Sequence, residues 1–456
     1  MKAQAQHYVS TTNSCKLCKP LGACLAFRGI EGSVPFLHGS QGCATYMRRY
    51  IISHFREPMD IASSSLGEKN AIYGGGPNLK LGLRNLMIKY RPRLVGVATT
   101  CLTETIGDDT PRYVREFKEE FSELIDNCES PELVTVSTPS YCGAHMEGFH
   151  AAVNSVIDQL ANDYDKTDSL NIFPGFVSPE DTRYLKEVLS DFGLTSTILP
   201  DISETLDAPA LEHYEKLTSG GTRIEDIRTM GGARASIEWG RSITDSPSPA
   251  KTLMDKFGVA MQCVGLPMGL RETDTFFQVL ESLSGMATPQ KHSLERGRLV
   301  DAYIDGHKYV FAKKAVIYGE EDLVIGLTSF LAEIGVKPVL VATGTSGKRL
   351  RKSIEEVCSG ILDKPPLVKA DVDFYGIAAD AHKLSPDLLI GNSKGYRLSK
   401  ELGVPLIRIG FPIHDRFGGH RLLSIGYRGA QNLFDIIVNT IIETKQESSD
   451  IGYGYI

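Results

Sequence analysis

Nine cysteines stand in this 456-residue chain, and seven of them precede residue 143: Cys15, Cys18, Cys24, Cys43, Cys101, Cys128 and Cys142. Three are set in unusual surroundings. Cys18 lies in Lys16-Leu17-Cys18-Lys19-Pro20-Leu21-Gly22, where two lysines favour a thiolate and Pro20 and Gly22 predict a bent, open backbone. Cys43 closes His38-Gly39-Ser40-Gln41-Gly42-Cys43, where Gly39 and Gly42 let the backbone approach a bulky inorganic group without a Cβ clash. Cys101 follows the apolar run 94–100 and opens Leu102-Thr103-Glu104-Thr105. Its sulfur is thereby predicted at the C-terminal edge of a parallel strand, where α/β folds bind ligands, and amides at a helix start would stabilise an anionic group there. Cys18, Cys43 and Cys101, 25 and then 58 residues apart, point to iron–sulfur chemistry. Three thiols leave a cubane incomplete, so a further ligand is expected from outside, most naturally across a subunit interface.

The other chemistry-bearing residues carry less. Cys15 and Cys18 form a CxxC, a redox or zinc signal, but no second CxxC or CxxH answers it. An odd number of cysteines in a large chain argues against a disulfide framework. Cys24, Cys128, Cys142, Cys263 and Cys358 read as small buried apolar residues. Gly344-Thr345-Ser346-Gly347-Lys348 resembles a phosphate loop, yet position 342 is Ala and Arg349 follows the lysine, so it reads as a strand-to-helix turn. Gly74-Gly75-Gly76-Pro77-Asn78 reads as a turn. Glu104, Asp108 and Asp109 serve either proton chemistry or a helix start, and His38 either a cluster sulfide or a neighbouring carbonyl. His414-Asp415-Arg416 and His420-Arg421 read as a partner interface or an internal ion-pair network. No Ser–His–Asp or Cys–His nucleophile can be assembled, so no residue is given a catalytic role.

The elements that must position these thiols follow from periodicity. Apolar runs at 94–100, 133–136, 170–173, 196–199, 315–318, 338–342, 388–390 and 406–409 alternate with amphipathic stretches at 113–126, 179–192, 322–334 and 430–444. Strands apolar on both faces and alternating with helices predict an α/β fold of three Rossmann-like domains, each a parallel sheet flanked by helices. The polar stretch 162–169 and the interruption at 284–293 suggest units 1–165, carrying the cysteines, 166–288, and 289–456, ending in a helix. Residues 244–250 read as a surface loop. With 42% hydrophobic and 23% charged residues and a net charge of −7, the chain can bury large cores and has no nucleic-acid footprint. No apolar run reaches the length of a membrane span and no secretory signal is visible, so a cytoplasmic location is expected.

Several motifs together resemble the nitrogenase component 1 superfamily. They are Cys18-Lys19-Pro20-Leu21-Gly22-Ala23, His38-Gly39-Ser40-Gln41-Gly42-Cys43, Ser53-His54-Phe55-Arg56-Glu57-Pro58, and Thr99-Thr100-Cys101-Leu102 with Gly107-Asp108-Asp109. Thr138-Pro139-Ser140-Tyr141, Pro174-Gly175-Phe176, Gly220-Gly221-Thr222, Pro267-Met268-Gly269 and Phe411-Pro412-Ile413 extend the match over the whole chain. Within the superfamily it resembles a β-type subunit. The runs 15–18, 44–50, 60–65, 305–311 and 318–322 lean towards the NifN-type branch of cofactor-maturation scaffolds. The resemblance implies that Cys18, Cys43 and Cys101 ligate an iron–sulfur cluster, [4Fe-4S] or P-cluster-type [8Fe-7S], with Gly42 and Ser140 beside it. It also implies an α2β2 heterotetramer with a NifE-like α-type subunit, which shares the cluster and holds most of the iron–molybdenum cofactor precursor. A NifH-type iron protein and a NifB-type precursor donor would serve that complex. The complete thiol set with Ser140 fits an alternative, the β subunit of a catalytic nitrogenase or nitrogenase-like reductase such as one acting on methylthio-alkanes.

Overall fold

The computed structural model describes residues 14–122, 131–213, 215–242 and 248–449. It contains three sheets, each wholly parallel. The first comprises β1 (Ser33–His38), β2 (Ala62–Ser63), β3 (Leu94–Thr99) and β4 (Glu132–Val136), in the order β2-β1-β3-β4. The second comprises β5 (Leu170–Phe173), β6 (Ser196–Ile198), β7 (Ala235–Trp239) and β8 (Ala260–Val264), in the order β6-β5-β7-β8. The third comprises β9 (Lys314–Gly319), β10 (Lys337–Thr343), β11 (Leu367–Lys369), β12 (Leu388–Gly391) and β13 (Leu406–Arg408), in the order β11-β10-β9-β12-β13. The three sheets follow one another along the chain, over residues 33–136, 170–264 and 314–408.

The expected strands at 94–100, 170–173, 315–318 and 388–390 are central or near-central members, buried throughout or nearly so, whereas 133–136 forms β4 at one edge of the first sheet. Helices Thr110–Glu120, Pro179–Asp191, Glu321–Glu333 and Gly426–Glu447 correspond to the four amphipathic stretches. β1, β7 and β8 carry no such legible pattern. β1 is central yet contains Pro35, paired with Gly96. β7 buries Glu238, and β8 is a largely exposed edge. Of the loop expected at 244–250, residues 244–247 lie outside the described residues, while Pro249 and Ala250 are buried in the first turn of a helix, Pro249–Phe257.

The apolar core does not break where the sheets change. One continuous cluster runs from Leu170 and Trp239 of the second sheet to Ile317 of the third and Phe434 of the last helix. A second joins the first sheet to Leu199 and Leu253. Residues 14–17 are also shared. Ser14 pairs antiparallel with Asp373, and Cys15 packs with Val316, Tyr318 and Leu340 under the third sheet.

Candidate functional site

The three singled-out thiols stand at three different helix starts. Cys18 is the residue before the helix Lys19–Arg28. Cys43 lies in the first turn of Gln41–Phe55, which leaves the end of β1. Cys101 begins Cys101–Ile106, which leaves the end of β3. β1 and β3 pair in register from Ser33–Leu94 to His38–Thr99, so adjacent parallel strands deliver Cys43 and Cys101 at one sheet edge. The helix Lys19–Arg28 brings Cys18 to the same place by packing on the helix His145–Leu160.

That packing revises the expected role of the residues after Cys18. Pro20 and Gly22 do not open the backbone. Pro20 occupies the first helical turn, where its missing N–H costs nothing. Gly22 is helical, and a Cβ there would lie 1.6 Å from the His145 carbonyl oxygen. The flanking lysines are also turned elsewhere: Lys16 pairs with Asp371 at 3.2 Å, and the Lys19 ammonium lies 3.4 Å from the Cys142 carbonyl oxygen. Burial pushes the Cys18 thiol up, and the nearby Cys101 and Cys43 push it the same way; a hydrogen bond with Ser140 and the Lys394 ammonium pull it down.

Ser140 ties the site together. Its Oγ accepts from the Lys19 amide at 3.1 Å, and its own amide donates to Cys101 Sγ at 3.2 Å. Ser40 Oγ lies 3.7 Å from Cys43 Sγ. The two loop glycines divide their work. A Cβ on Gly39 would strike Thr100 Oγ1 at 2.1 Å, so Gly39 is required by the fold, whereas a Cβ on Gly42 would meet only Ser40 Oγ at 3.7 Å. Among the described residues nothing else lies within 4 Å of that position, and Gly42 is exposed beside Cys43. Among the described residues no three Cys, His, Asp or Glu side chains converge on one ion position. Cys43 and Cys101 both lie near Cys18, an arrangement that suits a polynuclear cluster whose irons each take a different thiolate.

The remaining candidates are mostly accounted for within the chain. Cys15 is buried among third-sheet residues while Cys18 packs with the first-sheet core, and burial pushes the Cys15 thiol up to about 12, so the CxxC offers only one accessible thiol. Cys24 and Cys358 are buried as expected, and Cys128 lies outside the described residues. Cys142 and Cys263, expected in the core, are exposed: Cys142 Sγ lies 3.9 Å from the Lys19 ammonium, and Cys263 is on the β8 edge. His38 is fully buried between Ser64 Oγ at 3.0 Å and Asp108 at 3.1 Å. Asp108 also accepts the Gly75 amide, Glu104 accepts from Thr99 and Ser137, and Asp109 caps the helix Thr110–Glu120. Asp415 pairs with Arg408 and His420 with Asp207. Residues 344–349 form the turn between β10 and the helix Leu350–Cys358.

Sequence reasoning missed three groups at this face. Tyr46 is 45% exposed beside Tyr50 and near Cys18, and Tyr141, 66% exposed, lies near Cys101. Lys394, distant in sequence, reaches the Cys18 arm. The run 44–50 around Tyr46 and the motif ending in Tyr141 carried a signal; Lys394 carried none.

Residues 18–442 match the family described as nitrogenase component 1 type oxidoreductase. The chain belongs to the nitrogenase component 1 family. Among curated relatives of this nitrogenase-family chain, the nitrogenase molybdenum-iron protein beta chain of Clostridium pasteurianum is 35% identical over 94% of this chain and 93% of that protein. The beta chain of the same name from Rippkaea orientalis is 37% identical over 97% and 86%. A solved structure, nitrogenase Cp1 at pH 6.5, superimposes with a TM-score of 0.95 at 33% identity over 100% of this chain and 99% of that one. The chain is thus a β-type subunit of the family, and its α/β fold of three parallel sheets is the family's. These relatives carry the name of the molybdenum-iron protein and not that of the scaffold branch towards which the sequence leaned. Among the described residues no helix is long and apolar enough to cross a membrane.

Proposed function

We propose that this chain is the β-type subunit of a reductive nitrogenase-type complex, in which Cys18, Cys43 and Cys101 bind an iron–sulfur cluster shared with an α-type partner. The observation that carries the reading is the meeting of the three thiols with Ser140 on a face where Gly42 leaves space and Tyr46 and Tyr141 stand exposed. Three thiols at a surface call for further ligands from another chain, and exposed aromatic residues beside them are typical of the buried part of an interface. The shared cluster would supply a one-electron relay. This chain's own contribution is to fix three thiolates at three helix starts, two of them following adjacent strands, and to direct the Ser140 amide at the Cys101 sulfur. A NifH-type iron protein is the expected electron donor to the complex.

The alternative is the NifN-type maturation scaffold, with a NifE-like partner and a NifB-type donor, favoured by the runs around residues 44–50 and 305–311. The names of the relatives and the complete thiol set with Ser140 favour the reductive reading over it. The test is anaerobic purification of the native complex, identification of the co-purified subunit, iron analysis, and assay with the iron protein and ATP. Sustained reduction of a small unsaturated substrate is expected. A complex that hands over cofactor but sustains no turnover would overturn the proposal in favour of the scaffold.

A further inference from the structure

Cys43 and Cys101 rise from the first sheet, but Cys18 ends an arm held by the third. Ser14 pairs with Asp373, and Cys15 is packed against β9 and β10 so tightly that a Cβ on Gly344 would lie 2.6 Å from its backbone. Across this arm reaches Lys394. Its Nζ donates to the Ser14 carbonyl at 2.8 Å and to the Lys16 carbonyl at 3.2 Å. The turn that carries it, Ser393–Gly395 at the end of β12, is itself locked. The Lys394 amide donates to Asn392 Oδ1 at 3.1 Å, the Ser393 amide to the Pro412 carbonyl at 3.0 Å, and the Tyr318 hydroxyl to the Asn392 carbonyl at 2.8 Å. A Cβ on Gly395 would overlap Tyr318 Oη at 1.9 Å. Where the arm meets Cys18, the Leu17 amide donates to His145 Nδ1 at 3.3 Å. An amide can only donate, so Nδ1 accepts and Nε2 carries the proton that goes to Glu320 at 3.0 Å.

We infer that Lys394 is a positioning residue for Cys18: its ammonium pins the 14–17 arm to the third sheet and sets a positive charge close to the Cys18 sulfur. The Lys16 carbonyl that this ammonium holds at 3.2 Å stands only two residues along the chain from Cys18. An ammonium beside an anionic cluster stabilises its more reduced, more negative state, so this residue sets part of the cluster's potential as well as the place of one ligand. The inference deepens the cluster-ligand reading and rests on it.

The experiment uses the complex co-expressed with its partner, carrying Lys394→Met, Lys394→Gln or Lys394→Arg. Lys394→Met removes two charge-assisted hydrogen bonds and should speed amide exchange in residues 14–17 about tenfold or more, with or without bound iron. It should also shift the cluster's midpoint potential to more negative values and alter its electron paramagnetic resonance signature. Lys394→Gln keeps a donor without the charge, so the potential should shift while exchange changes less; Lys394→Arg should restore both. If Lys394→Met does not assemble, Lys394→Gln still reads the charge. Unchanged potential together with unchanged arm exchange in the substituted complexes would overturn the inference. Full iron retention by Cys43→Ala would instead overturn the cluster reading beneath it.

Discussion

Gly22 and Gly148 are the positions at which the helices Lys19–Arg28 and His145–Leu160 touch backbone to backbone. A Cβ on Gly22 would lie 1.6 Å from the His145 carbonyl oxygen, and one on Gly148 would lie 1.8 Å from that of Lys19. This crossing sets Cys18 against Ser140, because Lys19 and the residues before His145 are its two ends. Gly148→Ala should therefore force the helices apart, at a cost of about 3 kcal/mol, and lengthen the Lys19–Ser140 hydrogen bond. The expected outcome is a lower thermal midpoint of the complex and a loss of iron larger than that caused by Gly258→Ala, where a Cβ would meet nothing within 4 Å but a φ of +69° strains the backbone. Equal iron content in the two variants would show that the crossing does not place the thiol.

The loop glycines separate folding from binding. Gly39→Ala puts a Cβ 2.1 Å from Thr100 Oγ1 and should lower the yield and stability of the chain itself. Gly42→Ala has space for its methyl and adds a better helix former to the first turn of Gln41–Phe55. It should leave the stability of the metal-free chain unchanged or slightly raised while lowering iron content. Chemical denaturation and iron analysis of both variants check this; iron loss in Gly39→Ala alone would count against a cluster over Gly42.

The cysteines should sort by position. Cys43→Ala and Cys101→Ala should lower iron content and bleach the visible absorption, since loss of a thiolate opens an iron site. Cys358→Ala and Cys15→Ala, both in apolar cores, should keep their iron and lose only modest stability. Uniform loss across all four would mean that general destabilisation had been read as ligation.

Acid lability should follow His54. Burial, with His420 nearby, holds its imidazole at about 3, and Nδ1 accepts the Ile413 amide at 2.9 Å. An unfolded histidine titrates near 6.5. The unfolded state therefore binds the proton first, and the stability this group supplies is full above pH 6.5 and falls as pH drops towards 3. The slope is up to about 1.4 kcal/mol per pH unit. His54→Asn, which keeps an acceptor for Ile413, should flatten urea-unfolding stability between pH 6.5 and 5 relative to the parent chain. An unaltered pH slope in His54→Asn would assign the acid sensitivity to other groups.

The class of fold and the three thiols to consider are legible in the residue pattern alone. Runs such as 94–100 and 315–318 are apolar at every position because both faces of a parallel strand are covered, and that pattern is local. The glycines and amides around Cys43, and the step from β3 into Cys101, are local as well. The tertiary structure decided what each neighbour is for. Only the helix crossing shows that Gly22 is a packing residue, only the third sheet shows that Cys15 is core, and only the partners of Lys16 and Lys19 show that neither serves the thiolate. Lys394 is 376 residues from Cys18, and its two hydrogen bonds go to carbonyl oxygens that every residue possesses. A contact made to backbone leaves no side-chain signature on the arm it holds, so folding alone reveals it.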